Sequence, residues 1–249
     1  MTYLFSIHRP PRRAVLPKSI RPPLREPDAP SPRLAAALTG LVEKPDFPCV
    51  GAKSALAQGN LAVEPAFSVR SARDDVRIHE RLVQWSRAVQ AGDKGFRSLA
   101  VVFAGPIGLD ERGFEEALWQ RLGALTELDR AAGHRQAAGF SADPDHSDFA
   151  LSFGGKAYFA VGLHPNASRR ARRLPFPAIV FNLHSQFKRL RSEQRYERMR
   201  EVILARDEAF DGSINPMVER HGDISEARQY SGREVKGDWV CPFAPEDRL

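Results

Sequence analysis

The 249-residue chain is expected to fold as an α+β protein. Two features predict this class: strand-like and helix-like segments are mixed without regular βαβ alternation, and Gly154-Gly155 joins two strand-like runs as in a hairpin. We expect one domain over residues 31–249, with a small mixed or antiparallel sheet packed by helices. Residues 1–30 contain seven prolines. Because proline fixes φ and removes a donor, an extended Pro- and Arg-rich arm is predicted there.

The first half of the domain is predicted to hold two helices and a strand. Ser31 followed by proline is typical of a helix start, and this helix is predicted to end near Glu43. A second helix follows Ser71, with an apolar stripe on one face. The stripe consists of Ile78, Leu82, Trp85 and Val89. Residues 97–104 are predicted to form a strand, and the continuous apolar run at residues 99–104 indicates burial on both faces.

A third helix is predicted to begin at Asp110. Its apolar face contains Phe114, Leu118, Leu122 and Leu125. Residues 134–148 are polar and are expected to form a loop. The two strands of the predicted hairpin are residues 149–153 and 156–161.

The last predicted strand covers residues 178–182. Residues 185–210 have a helical pattern with an expected break near Ser192, and the chain from Asp211 onward is predicted to be irregular.

Composition limits the classes of protein that the chain can represent. Its formal charge is +6, and hydrophobic residues make up 42%. The apolar runs are far shorter than the roughly 20 residues of a membrane-spanning helix, so no membrane partner is expected. The two cysteines form no disulfide framework, which favours a cytoplasmic location. The basic charge occurs without a helix-turn-helix, zinc-finger or RNA-binding signature, which argues against a nucleic-acid partner.

The stretch from residue 162 to 187 is rich in residues that bind ligands. It contains His164, directly before a proline, and His184, next to a predicted helix start. Imidazoles, guanidinium groups and apolar side chains together suit a buried cofactor with acidic substituents, although ordinary packing would also use them. Four of the five residues 169–173 are arginines. They cannot all point inward on a regular element, so at most two could bind an anion bidentately.

The two cysteines are also candidate ligands. Cys241, which precedes a proline, could supply a thiolate, or it could be a small buried hydrophobic residue. Cys49 and Cys241 are too few for a structural zinc site without histidine ligands that only the fold could identify.

Several motifs, in order, resemble those of the YqcI/YcgG family. The similarity runs from about Arg33 to the C-terminus and leaves out the proline-rich arm. The motifs occupy residues 47–55, 162–169, 180–187, 206–207, 212–217, 225–233 and 239–243.

Characterised relatives in that family are heme-dependent N-hydroxylases that oxidise a guanidine nitrogen of arginine or of an arginine-derived amino acid. The resemblance therefore implies a monooxygenase with heme b, O₂, an external electron donor and a small amino-acid or guanidine substrate. His164 is the first candidate for the axial iron ligand. His184 is the second candidate, and Cys241 or Cys49 the third.

The resemblance also implies roles for charged residues. Arg169 and Arg173 are expected to bind the heme propionates. Glu226 and Asp207 are expected to bind a substrate guanidinium, and Arg233 the substrate carboxylate. Each of these side chains could instead form a structural salt bridge. The alternative function is a non-catalytic heme-binding or heme-sensing protein, and a nucleic-acid-binding module is supported by charge alone.

Overall fold

A computed structural model describes residues 32–89, 95–217 and 224–243. The predicted arm, residues 1–30, lies outside the described residues. Five strands form one mixed sheet with the order β1-β2-β5-β4-β3. The strands are β1 (Leu61–Ser68), β2 (Ser98–Gly105), β3 (Leu151–Phe153), β4 (Lys156–Leu163) and β5 (Ala178–Leu183). β1 pairs in parallel with β2, and the other pairs are antiparallel. The predicted α+β class is confirmed.

Seven α-helices accompany the sheet in the described part of the chain. They are α1 (Pro32–Glu43), α2 (Val50–Ala57), α3 (Asp75–Ala88), α4 (Glu111–Ala131), α5 (His184–Ser192), α6 (Tyr196–Asp211) and α7 (Ala227–Tyr230). Short 3₁₀ turns cover Ala72–Asp74 and Arg170–Arg172. None of the helices in the described ranges has both the length and the apolar character that crossing a bilayer requires.

The sheet is buried on both faces, and β2 shows why. Leu99, Val101 and Phe103 belong to a core shared with α3 and α4, whereas Ala100 and Val102 belong to a second core shared with α1. Successive side chains of a strand point to opposite faces, so a run that is apolar throughout fills both cores. The predicted two-sided burial of this strand is confirmed.

Capping side chains and one positive φ angle mark where several helices begin or end. The carboxylate of Asp110 accepts a hydrogen bond from the amide of Gly113 and caps α4. Ser71 accepts from the amide of Arg73 and caps the 3₁₀ turn that leads into α3. The predicted break near Ser192 separates α5 from α6, and Gln194 there has a positive φ of 57°.

Three elements had no counterpart in the prediction. They are α2, β1 and the short α7. β1 contains Pro65, which lacks the amide that a central strand needs. Its place at the edge of the sheet accommodates this residue, because only one side of an edge strand is paired.

Candidate functional site

A cavity of about 300 Å³ lies on the α1 face of the sheet. Alternate residues of β4, namely Phe159, Val161 and Leu163, line its floor together with Val180 and Asn182 of β5. The walls are formed by side chains of α1, α2, α5 and α6 and by the segment around α7. The volume is at the lower end of the range of about 300–1,000 Å³ for pockets that bind small molecules.

His184 lies in this cavity because the alternation of β5 continues into the first residue of α5. Val180, Asn182 and His184 all line the cavity. The imidazole is 3% exposed, and its Nε2 lies 3.0 Å from Oε1 of Glu226. Glu226 is itself 1% exposed. A carboxylate held against one ring nitrogen fixes the orientation of an imidazole.

Tyr230 completes this buried polar group. Its hydroxyl donates to the same Oε1 of Glu226. Burial, and then the negative charge of Glu226, raise the pKa of Tyr230 well above its ordinary value of 10. The phenol therefore stays protonated and remains a donor. Glu226 is positioned by Tyr230 on one side and faces His184 on the other.

Arg172 lines the cavity, and its guanidinium group is bonded to backbone carbonyls rather than to a carboxylate. It donates to the carbonyl oxygens of Gly162 and Gln229, at 3.0 and 3.3 Å. Burial lowers the pKa of Arg172 to about 10, so the side chain remains charged at neutral pH. A partly buried cation with only carbonyl acceptors is a favourable site for an anionic ligand.

Arg169 also lines the cavity, but carboxylates already neutralise it. Its guanidinium contacts Asp207 at 2.5 Å and Asp211 at 3.4 Å. It also donates to the hydroxyl and carbonyl oxygens of Ser213. Burial raises the pKa of Asp207, and the charge of Arg169 opposes this rise. This cluster ties α6 to the loop that precedes β5.

His164 is not among the residues that line the cavity. It follows Leu163 at the end of β4 and therefore points to the opposite face of the sheet. There it is 1% exposed and stacks on Phe114 of α4, with ring centroids 4.4 Å apart and planes tilted by 19°. Burial lowers the pKa of the imidazole, and its Nδ1 has no hydrogen-bond partner in the described structure. Packing encloses His164, and the geometry favours His184 as the histidine that meets a ligand.

Two predicted charged residues lie away from the cavity. Arg173 is exposed and donates to the carbonyl oxygens of Ala167 and Ser168. Arg233 forms an ion pair with the buried Glu115. In contrast, the predicted Asp207 and Glu226 both line the cavity, where Arg169 and His184 are their respective partners.

The two cysteines lie on opposite faces of the sheet. Cys241 is buried in the core that contains α3 and α4. Cys49 lines the cavity and caps α2, since its Sγ accepts from the amide of Ala52 at 3.4 Å. Burial raises the pKa of the Cys49 thiol. At neutral pH this residue therefore presents a neutral thiol to the cavity.

The cavity residues match the kinds of group that heme binding requires. They include the imidazole of His184, a cation without a carboxylate partner at Arg172, and apolar walls. A porphyrin is a large ligand for a cavity of about 300 Å³. The cavity would have to widen to admit one.

Comparisons with known proteins give one family and one relative to which the chain is similar. The model of the YqcI/YcgG family matches residues 38–244. An uncharacterized protein YcgG of Bacillus subtilis (strain 168) is 28% identical over 208 residues, which cover 80% of this chain and 81% of the relative. No solved structure matches the chain.

Proposed function

Because the chain belongs to the YqcI/YcgG family, we propose that it is a heme-dependent monooxygenase. Its substrate is an arginine-like amino acid, of which it hydroxylates a guanidine or amine nitrogen with O₂ and electrons from an external donor. The observation that supports this proposal most strongly is the pairing of His184 with Glu226 at the wall of an apolar cavity. Carboxylate-supported histidines are typical metal ligands.

In this proposal His184 holds the heme iron and replaces His164 as the preferred ligand. Glu226 keeps the imidazole in a fixed orientation, and Tyr230 keeps Glu226 in place. When bound, the heme supplies the activation of O₂, while the protein supplies position, charge and exclusion of water. The apolar side chains of β4 and β5 keep bulk water from the site.

Charged residues of the cavity bind the acidic and basic ends of the ligands. Arg172 faces a heme propionate or a substrate carboxylate, because no carboxylate within the described ranges neutralises it. Asp207 is the proposed binding residue for the substrate guanidinium. On binding, the substrate would replace part of the contact between Asp207 and Arg169. Arg173 and Arg233 have no part in this proposal, because they lie outside the cavity.

The test is reconstitution of the purified chain with heme, followed by turnover. A Soret band at a stoichiometry of one heme per chain is expected. Incubation with O₂, a reductant and L-arginine or a related guanidine should give a product heavier by one oxygen atom, detected by mass spectrometry. Absence of a Soret band would contradict the proposal. Heme binding without turnover of any guanidine or amine would support the non-catalytic alternative. The exchangeable ligand expected for it was Cys241, which lies in the other core, so Cys49 is the thiol that the cavity offers for this role.

A further inference from the structure

A second group of potential metal ligands lies outside the cavity. Nε2 of His79 and Nδ1 of His134 each lie 2.7 Å from the same oxygen, Oδ1 of Asp129. The amide of Gly154 donates to this oxygen as well, at 2.8 Å. The three side-chain ligand atoms lie within 4.8 Å of one another. None of these residues lines the cavity described above.

Four separate pieces of backbone bring these atoms together. His79 lies in α3, and Asp129 lies in the last turn of α4. Gly133, with φ of 77°, ends α4 in a left-handed turn that returns His134 towards Asp129. Gly154, with φ of 60°, belongs to the turn between β3 and β4. The site therefore joins both helices of one layer to the hairpin of the sheet.

The donor set has the chemistry of a transition-metal site. Two imidazoles and one carboxylate bind divalent zinc and iron, and fewer than four protein ligands leave a position for water. Among the described residues no lysine or arginine pairs with Asp129. His79 and Asp129 are buried, but the side chain of His134 is 24% exposed. This exposure gives a metal ion and a water ligand a route from solvent.

The spacing requires only a small adjustment to admit an ion. Bond lengths of about 2.0–2.1 Å at a tetrahedral centre place neighbouring ligand atoms about 3.3 Å apart. Nε2 of His79 and Nδ1 of His134 each lie only 2.7 Å from Oδ1 of Asp129. Both contacts therefore have to lengthen by about half an ångström, which a small shift of the Asp129 carboxylate away from both imidazoles would provide.

We propose that His79, Asp129 and His134 bind one divalent transition-metal ion, with water as a fourth ligand, and that the ion clamps the end of α4 to α3 and to the β3–β4 turn. The proposed heme function does not enter this inference. Because the imidazoles must be unprotonated to coordinate, metal affinity should fall as the pH is lowered.

The test uses the full-length chain without an affinity tag, stripped with a chelator. Calorimetry with Zn²⁺ should give one site per chain, and Co²⁺ should give the visible absorption of a four-coordinate ion. Zn²⁺ at one hundred times its Kd should raise the Tm by about 5–10 °C. His134→Ala and Asp129→Asn should each weaken Zn²⁺ binding at least about tenfold.

His146→Ala is the matched control. This histidine also lies near an aspartate, Asp148, but its side chain is 53% exposed and belongs to no such group. Its loss should leave Zn²⁺ affinity unchanged. The proposal is overturned if the stripped chain binds no Zn²⁺ at micromolar concentration. It is also overturned if the His134→Ala and Asp129→Asn variants, both folded by circular dichroism, bind Zn²⁺ as tightly as the parent chain.

Discussion

Nε2 of His184 lies 3.0 Å from Oε1 of Glu226, and both side chains are almost completely buried. Burial of a carboxylate is costly unless donors surround it. Tyr230 supplies one of those donors from the next turn of the chain. His184 and Glu226 of this group also line the cavity, which makes them candidates for contact with a ligand.

Tyr230→Phe should destabilise the fold. The substitution removes the hydroxyl that donates to Glu226 and leaves the buried carboxylate with one donor fewer. The expected loss is about 1–3 kcal/mol in the free energy of unfolding, measured by urea denaturation. In a double-mutant cycle with Glu226→Gln, the two changes should be clearly non-additive. Additive effects would show that the two side chains do not interact.

Gly162→Ala should be among the most damaging small substitutions in β4. An added Cβ would lie 2.7 Å from Cε1 of Phe114, 2.8 Å from Cδ1 of Leu118 and 2.9 Å from the carbonyl oxygen of Tyr230. Overpacking of this kind costs about 1–3 kcal/mol, and the rigid carbonyl places the effect at the upper end.

Gly40→Ala is the control for this substitution. Gly40 lies in α1, and nothing is within 4 Å of its added Cβ. Replacement in a helix should stabilise the protein by about 0.5–1 kcal/mol. Equal stability losses for the Gly40→Ala and Gly162→Ala variants, measured by thermal unfolding, would refute the described packing of α4 on β4.

His164 should make the protein sensitive to mild acid. Burial lowers its pKa in the folded chain below the ordinary value of 6.5. Between these two values the unfolded chain binds more protons than the folded one. The free energy of unfolding should therefore fall as the pH drops below 6.5, by at most about 1.4 kcal/mol per pH unit from this residue.

Urea unfolding at a series of pH values measures this effect. In the His164→Gln variant the dependence on pH between 7 and 5 should be weaker than in the parent chain, and His146→Gln, at an exposed position, should leave it unchanged. An identical dependence in His164→Gln and the parent would contradict the buried, neutral state of this imidazole.

Arg172 and Arg173 are neighbours with different expected roles. Arg172 lines the cavity, whereas Arg173 is exposed and bonded to loop carbonyls. Arg172→Gln should reduce heme affinity about tenfold, because a charge-assisted contact to a propionate is lost. Arg173→Gln should change it less than twofold. Heme titration followed by absorbance measures both affinities. A larger loss of affinity in Arg173→Gln than in Arg172→Gln would contradict the assignment of Arg172 as the residue that binds the anion.

The order of elements could be predicted from sequence, because caps, apolar periodicity and the Gly-Gly turn are local signals. β1 was missed because Pro65 obscures its strand pattern, and only pairing with β2 makes it an edge strand. α7 was missed because its four residues carry too short a periodic signal.

The candidate site was predictable in part. The segments with His184, Glu226 and Asp207 were identified from their motifs, and they meet at one cavity. The sequence alone could not show towards which face of the sheet the side chain after each strand points. His164 and His184 both end strands, yet the β4 and β5 registers place them on opposite faces. For the same reason the sequence could not select Arg172 from four neighbouring arginines.

The most direct test of the account compares heme binding by the parent chain, His184→Ala and His164→Ala. Absorption and electron paramagnetic resonance spectra report the axial ligand of the iron. We expect His184→Ala to lose the histidine-ligated spectrum, with added imidazole restoring it, while His164→Ala keeps the parent spectrum even if it is less stable. Loss of the histidine-ligated spectrum in His164→Ala but not in His184→Ala would contradict the assignment of His184 as the residue that meets the cofactor.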